Sequence, residues 1–276
     1  MRVALGQLPV SSAPQVNLSR VRAAATSAAA QGAELIVFPE GTQARFSADL
    51  RAVAEPLDGP FSAGLADIAR SAKLAVVASL FEPAPDGRVY NTTVGYAGDG
   101  SLAAVYRKIH LFDALGYRES DSVAPGSQVV IARLGGLCVG FMTCYDIRFP
   151  ELARALAAGG ADLLVLPAAW AAGTFKEEHW VTLIRARAIE NTIWVAAAGQ
   201  VPDPDERPTR APTGVGRSLL VDPMGVVRLD LGPAEGLGVG DVDTAQTAAV
   251  RAALPSLANR RTDVLPAGTT PPAATR

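Results

Sequence analysis

Cysteine is scarce in this sequence. Of 276 residues only Cys138 and Cys144 carry a thiol, six positions apart, in what reads as one β segment where two side chains cannot easily meet in a disulfide. That argues against a disulfide-stapled secreted scaffold, and reduced thiols in a reducing compartment are expected. Histidine is as rare: His110 and His179 are the two present, too few for the paired His or Cys spacing of a zinc site. Neither a metal nor another cofactor is expected. An excess of one charge is also missing. With 25 basic and 27 acidic residues and a formal charge of -2, nothing would draw the chain to nucleic acid or to an anionic membrane. No apolar run approaches the roughly 20 residues that span a bilayer. Met1 leads directly into the alternating stretch Val3 to Leu8, without the basic region and apolar core of an export signal. The cytoplasm is the expected location. A P-loop lysine motif is absent, and the string Gly236, Gly238, Gly240 lacks dinucleotide-binding spacing and precedes a strand, so it reads as turn and edge glycines.

What is abundant is apolar material, 49% of the chain, ample for a substantial core. Runs of Val, Ile and Leu alternate with helix-like stretches, the pattern of an α/β protein. Val3 to Leu8 reads as a strand, Asn17 as the cap of a helix running to about Gln31, and Leu35 to Phe38 as the next strand. A helix over Pro60 to Lys73 precedes a strand from Leu74 to Phe81, and Asp86-Gly87 marks a hairpin into Val89 to Tyr96. After the strand Leu102 to Arg107, the polar stretch from His110 to Gly126 reads as a long loop. Leu137 to Thr143 is a continuous apolar strand, and proline opens an Ala-rich helix after Phe149. Further strands are expected at Leu163 to Leu166, at Ile193 to Ala198 and around Leu219, Val227 and Val239, with a helix from about Lys176 to Glu190. Residues 1–264 read as one domain. The tail 265–276, rich in Pro, Ala, Gly and Thr, reads as disordered or partner-wrapping.

Three positions carry chemistry. Cys144 stands where an apolar strand gives way to a helix, the place where α/β folds expose reacting groups and where turn N–H groups can meet a developing oxyanion. An unassisted thiol has a pKa near 8.5, so a partner must take its proton or stabilise its charge. Glu40 ends the strand Leu35 to Phe38, where a carboxylate is poorly hydrated and suited to general base work. Lys108 follows the strand Leu102 to Arg107 in the same way and can bring an ammonium to an anionic intermediate. Cys138 reads as a core residue.

The stretches around these residues resemble the carbon–nitrogen hydrolase (nitrilase) superfamily. The likeness rests on Val37-Phe38-Pro39-Glu40, on Tyr106-Arg107-Lys108-Ile109-His110-Leu111-Phe112-Asp113, and on the run from Gly140 through Cys144-Tyr145-Asp146-Ile147-Arg148-Phe149-Pro150-Glu151 to Leu152. It extends from Val3 to about Val264, including Arg185 to Asn191 and Asn259 to Asp263. The resemblance implies a four-layer αββα sandwich with mixed sheets. It also implies Glu40 as general base, Lys108 as oxyanion stabiliser and Cys144 as nucleophile, with Glu119 as a second glutamate that orients the lysine. A homodimer or higher homo-oligomer is implied too, built on the helix after Cys144 and the helix from Lys176.

Within the superfamily the Cys144 motif resembles the Nit-type amidases, which implies hydrolysis of a small carboxylate-bearing amide with release of ammonia through a thioester. A nitrilase or an N-carbamoyl amino acid hydrolase is the alternative. A substrate carboxylate needs a cation, and Arg45, Arg118 and Arg148 are candidates with nothing in the sequence to choose among them. Tyr145 is a further candidate for substrate contact, and Trp170 reads equally as pocket wall or core. Two rivals come from other classes. A papain-like enzyme would pair Cys144 with His179 and Asn191, and a catalytically silent interaction protein would keep only the fold.

Overall fold

The computed structural model describes residues 1–205 and 211–264; the expected tail lies outside the described residues. The strands are β1 (Arg2–Gln7), β2 (Leu35–Val37), β3 (Ala75–Pro83), β4 (Val89–Tyr96), β5 (Leu102–Arg107), β6 (Asp113–Ala114), β7 (Tyr117–Arg118), β8 (Val123–Ala124), β9 (Ile131–Leu134), β10 (Leu137–Phe141), β11 (Leu163–Ala168), β12 (Trp194–Gly199), β13 (Leu219–Val221), β14 (Val227–Asp230) and β15 (Gly236–Asp241). The helices are α1 (Pro14–Ala30), α2 (Leu50–Val53), α3 (Pro60–Ala72), α4 (Pro150–Ala158), α5 (Lys176–Asn191) and α6 (Thr244–Ala253). None of them is long and apolar enough to cross a membrane.

Two sheets face each other. The first runs β15-β1-β2-β3-β4-β5, with β8 added beside β4, and the second runs β14-β13-β12-β11-β10-β9. The strand period of two explains how the layers form. In β1, Val3 and Leu5 point toward the second sheet and join a core with Leu163, Val165, Ala196 and Leu220. Ala4 points the other way, with Ile36, Val76 and Ala78, onto α1 and α3 through Val21, Ala25, Leu65 and Ile68. The second sheet is covered in turn by α4 and α5, whose buried Leu152, Leu156, Ile184 and Ala188 join the same continuous core. This is the expected αββα sandwich. At roughly 1.5–3 kcal/mol per buried Leu, Ile or Val, these interleaved faces supply the main driving force.

The structure corrects several sequence expectations. Asn17 does not cap α1; Ala13 holds the cap position and Pro14 the first helical position, so the helix starts four residues earlier. Asn17 sits inside the helix, accepts from the Ser11 N–H at 2.9 Å and donates to Gln43 O at 2.9 Å, tying two loops together. The stretch 110–126 is not an open loop. It folds into the β6–β7 hairpin, a 3-10 turn at Glu119–Asp121 and the short strand β8. The two cysteines do not share a strand, because β10 ends at Phe141 and Cys144 opens a separate 3-10 turn, Cys144–Arg148. The glycine string lies within the edge strand β15, where a Cβ on Gly238 would stand 2.8 Å from Leu229 and one on Gly240 would stand 2.6 Å from Leu220. Strand β9, α2 and α6 had no expectation, being short or weakly periodic.

One glycine fixes the site's backbone. A Cβ on Gly126 would stand 2.1 Å from the carbonyl oxygen of Arg107, and the Gly126 N–H donates to the carbonyl of Lys108 at 2.8 Å. Gly126→Ala is expected to cost about 2 kcal/mol by overpacking against backbone and to lower turnover, because the strand end carrying Lys108 must shift. A thermal unfolding midpoint equal to that of the parent protein would contradict this.

Candidate active site

Strand ends deliver the chemistry to one place. Glu40 lies just past β2, Lys108 just past β5, Cys144 past β10 and Ala169 past β11, so the inner ends of both sheets meet around one pocket. Lys108 Nζ stands 2.8 Å from Glu40 Oε1 and 2.7 Å from Glu119 Oε2. Each of the three is 1% exposed, so their charges face one another in a poorly hydrated interior where removing a partner is costly.

Further donors hold the carboxylates. The Asn91 side-chain amide on β4 donates to Glu40 Oε1 at 2.8 Å and to Glu119 Oε1 at 3.1 Å. The Ala169 N–H reaches Glu40 Oε2 at 2.9 Å, and the Phe112 N–H reaches Glu119 Oε2 at 2.7 Å. The Asn91 carbonyl also accepts from the Lys108 N–H at 2.9 Å. Asn91 therefore fixes both acids and the lysine backbone. Sequence reasoning missed it, although a buried asparagine in an otherwise strand-forming run was the available signal.

Cys144 sits on a tight turn. Its φ of 47° is left-handed, uncommon for a residue with a side chain. A reciprocal cap holds the turn: Asp146 accepts from the Thr143 N–H at 2.8 Å. The same buried carboxylate accepts from the Tyr106 hydroxyl at 2.6 Å and from the His110 N–H at 3.0 Å. The motif residues between Tyr106 and Asp146 thus clamp the cysteine turn to the lysine strand.

Electrostatics follow from burial and neighbours. Burial holds the Cys144 thiol well above its ordinary range, the Glu40 carboxylate raises it further and Lys108 opposes them. The cysteine is therefore a neutral thiol at neutral pH, which must surrender its proton to react. Burial also works against the Lys108 ammonium, but the Glu119 and Glu40 carboxylates hold the lysine protonated, well above its usual range. Glu119 is raised by burial, against the pull of Lys108. Tyr117, on the pocket wall, is pushed up to about 12, chiefly by burial and then by Glu119, so it faces the site as a neutral phenol.

Glu40, Lys108, Glu119 and Cys144 lie on the floor of the pocket, and Tyr145, Trp170 and Lys176 are among its walls. An outer cleft shares Tyr145 and Lys176 and adds Arg148 and His179. Trp170 serves both expected roles: it is 2% exposed and lines the pocket. Two expected cations are not brought to either wall. Arg118 lies on the surface, 3.3 Å from Asp121, because the β6–β7 hairpin turns it outward. Arg45 is buried, and its neighbour Phe46 is what faces the pocket. The papain-like pairing is not assembled. His179 Nδ1 lies 3.4 Å from Arg148 in the outer cleft, and the Asn191 amide donates to Arg187 O at 2.9 Å. No cluster of His, Cys, Asp and Glu among the described residues is arranged to hold a metal ion.

Comparison with known proteins agrees with this geometry. Residues 2–252 match the family model described as carbon–nitrogen hydrolase. A protein named only as a hydrolase, from Mycobacterium tuberculosis, is 44% identical over 268 residues, spanning 94% of this chain and 95% of that one. The deaminated glutathione amidase of Escherichia coli O157:H7 is 37% identical over 265 residues, covering 95% and 97% of the two chains. Among solved structures, the amidase from Nesterenkonia sp. AN1, in a mutant form with the acetamide moiety of fluoroacetamide covalently added at its active-site cysteine, superposes with a TM-score of 0.81 at 31% identity over 95% of this chain and 94% of that one. With the family model spanning most of its length, the chain belongs to the carbon–nitrogen hydrolase family.

Proposed function

We propose that the protein hydrolyses the amide C–N bond of a small carboxylate-bearing amide, with Cys144, Glu40 and Lys108 as its catalytic residues and Glu119 orienting the lysine. The observation that carries this reading is the convergence of four residues from distant segments on one pocket, with Lys108 Nζ 2.8 Å from Glu40 and 2.7 Å from Glu119. The amidase activities of the relatives point the same way. Residues 1–264 act as one catalytic unit.

In the first step Cys144 Sγ attacks the amide carbon while its proton passes to Glu40. The carbonyl oxygen becomes an oxyanion. A lysine has three donors; with one given to Glu40 and one to Glu119, the third remains for that oxygen, beside the N–H of Tyr145 in the turn. Glu40 then passes the proton to the departing nitrogen, ammonia leaves, and a thioester remains on Cys144. Water, deprotonated by Glu40, attacks the thioester, releases the carboxylic acid and restores the thiol.

Ammonia release from a panel of monoamides of dicarboxylic acids, deaminated glutathione, neutral aliphatic amides, nitriles and N-carbamoyl amino acids tests the reading. Turnover of amides with the carboxylate-bearing ones preferred is expected. Turnover of nitriles alone would overturn it.

Two further assignments belong to this reading. A homodimer across the α5 side is supported by exposed Ile189, Met224 and Val226, at 43–52% exposure; light scattering that returns the mass of one chain would refute it. A cytoplasmic location is supported by the free thiols of Cys138 and Cys144, and cell fractionation decides it.

A further inference from the structure

A second cation stands in the pocket, and no acid among the described residues answers it. Lys176, the first residue of α5, is 5% exposed and lies on the wall shared by the pocket and the outer cleft. Its Nζ lies 4.2 Å from the centre of the Trp170 ring and 5.2 Å from that of Phe112. Cation–π contact of this kind recovers only part of what an ammonium loses on leaving water. Among the described residues no carboxylate stands within ion-pair distance of it. Glu40 and Glu119 face Lys108, Glu177 faces Arg217 at 3.6 Å, and Glu178 accepts from Thr182.

Arg148 compounds the imbalance. Its guanidinium lies 5.0 Å from the Trp170 ring and 6.0 Å from the Tyr145 ring, with His179 Nδ1 at 3.4 Å from Nη2. Two cations therefore lie against one indole, with no counter-charge beside them among the described residues. Burial and the Arg148 charge both weaken Lys176's hold on its proton. A buried charge kept unpaired in a binding site is poised for an ionic ligand. Sequence reasoning passed over Lys176 because it read only as the start of a helix.

Resting on the amidase reading of the Cys144 site, we propose that Lys176 is the specificity-determining residue: its ammonium, with Arg148 beside it, binds the carboxylate of an amide whose other end lies at Cys144. A neutral amide of the same length leaves that ammonium unpaired, so the site discriminates by charge rather than by shape.

The test compares kcat/KM for glutaric acid monoamide and for hexanamide in the parent enzyme, Lys176→Met and Lys176→Arg. Methionine keeps the stem and removes the charge. The charged-to-neutral ratio is expected to fall roughly 10- to 100-fold in Lys176→Met, the range for losing a hydrogen bond to a charged group. The loss should appear mainly in KM for the charged amide, with much of it restored in Lys176→Arg. An unchanged ratio, or an equal fall in both variants, would overturn the proposal. If the parent enzyme turned over neither amide, the amidase reading would fail, and calorimetric binding of glutarate would still decide Lys176. Binding weakened about 10-fold or more in Lys176→Met supports its role, and equal affinity or no binding to the parent protein refutes it.

Discussion

Cys144→Ala is expected to lower the rate of amide hydrolysis by roughly 10⁴-fold or more, the scale on which loss of a covalent nucleophile acts, while Cys138→Ala keeps the parent rate. The contrast is structural. Cys138 lies in β10, where its N–H is taken by Asp162 at 2.9 Å, and it lines neither wall of the site. Cys144 stands on a left-handed turn facing Glu40 and Lys108. Alanine at position 144 removes no hydrogen bond from the cap between Thr143 and Asp146, so the variant should fold and bind substrate. Steady-state ammonia release measures the loss. A Cys144→Ala enzyme retaining a tenth of the parent rate would remove the thiol from the chemistry.

Lys108→Met is expected to cost on the order of 10²- to 10³-fold in kcat, as removal of an oxyanion donor does. A second effect follows from charge. Lys108 lowers the Cys144 thiol against the upward push of burial and Glu40, so removing it leaves the thiol still harder to ionise. The 240 nm thiolate absorbance of Lys108→Met, read against a Cys144→Ala blank, should therefore rise at higher pH than in the parent protein. Stability should change as well, because Glu40 and Glu119 would face each other unneutralised with 1% exposure, and at least one must take up a proton. A kcat within a few fold of the parent value, in a variant shown to be folded, would exclude Lys108 from the mechanism.

The sequence made most strands of the sandwich legible because they are apolar runs, and it placed Glu40, Lys108 and Cys144 because each follows such a run. Glu119 was reachable only through the family motif, since a glutamate in Tyr117-Arg118-Glu119-Ser120 otherwise reads as a surface charge; the β6–β7 hairpin buries it. Contacts made across the fold were hidden. Asn91 meets Glu40 across 51 positions and the Ala169 N–H meets it across 129, and no local pattern encodes such a distance. The choice among arginines failed for the same reason. Whether Arg118 faces Asp121 or the pocket is decided by a two-residue strand too short to show periodicity.

The most direct test of the account looks for the acyl group itself. The protein is quenched with acid during turnover of a carboxylate-bearing amide, digested, and mapped by mass spectrometry. The expected result is an acyl adduct on Cys144 and not on Cys138, located by fragmentation because both cysteines lie between Arg133 and Arg148. Sustained ammonia release with no adduct, or with the adduct on Cys138, would contradict covalent catalysis at this site.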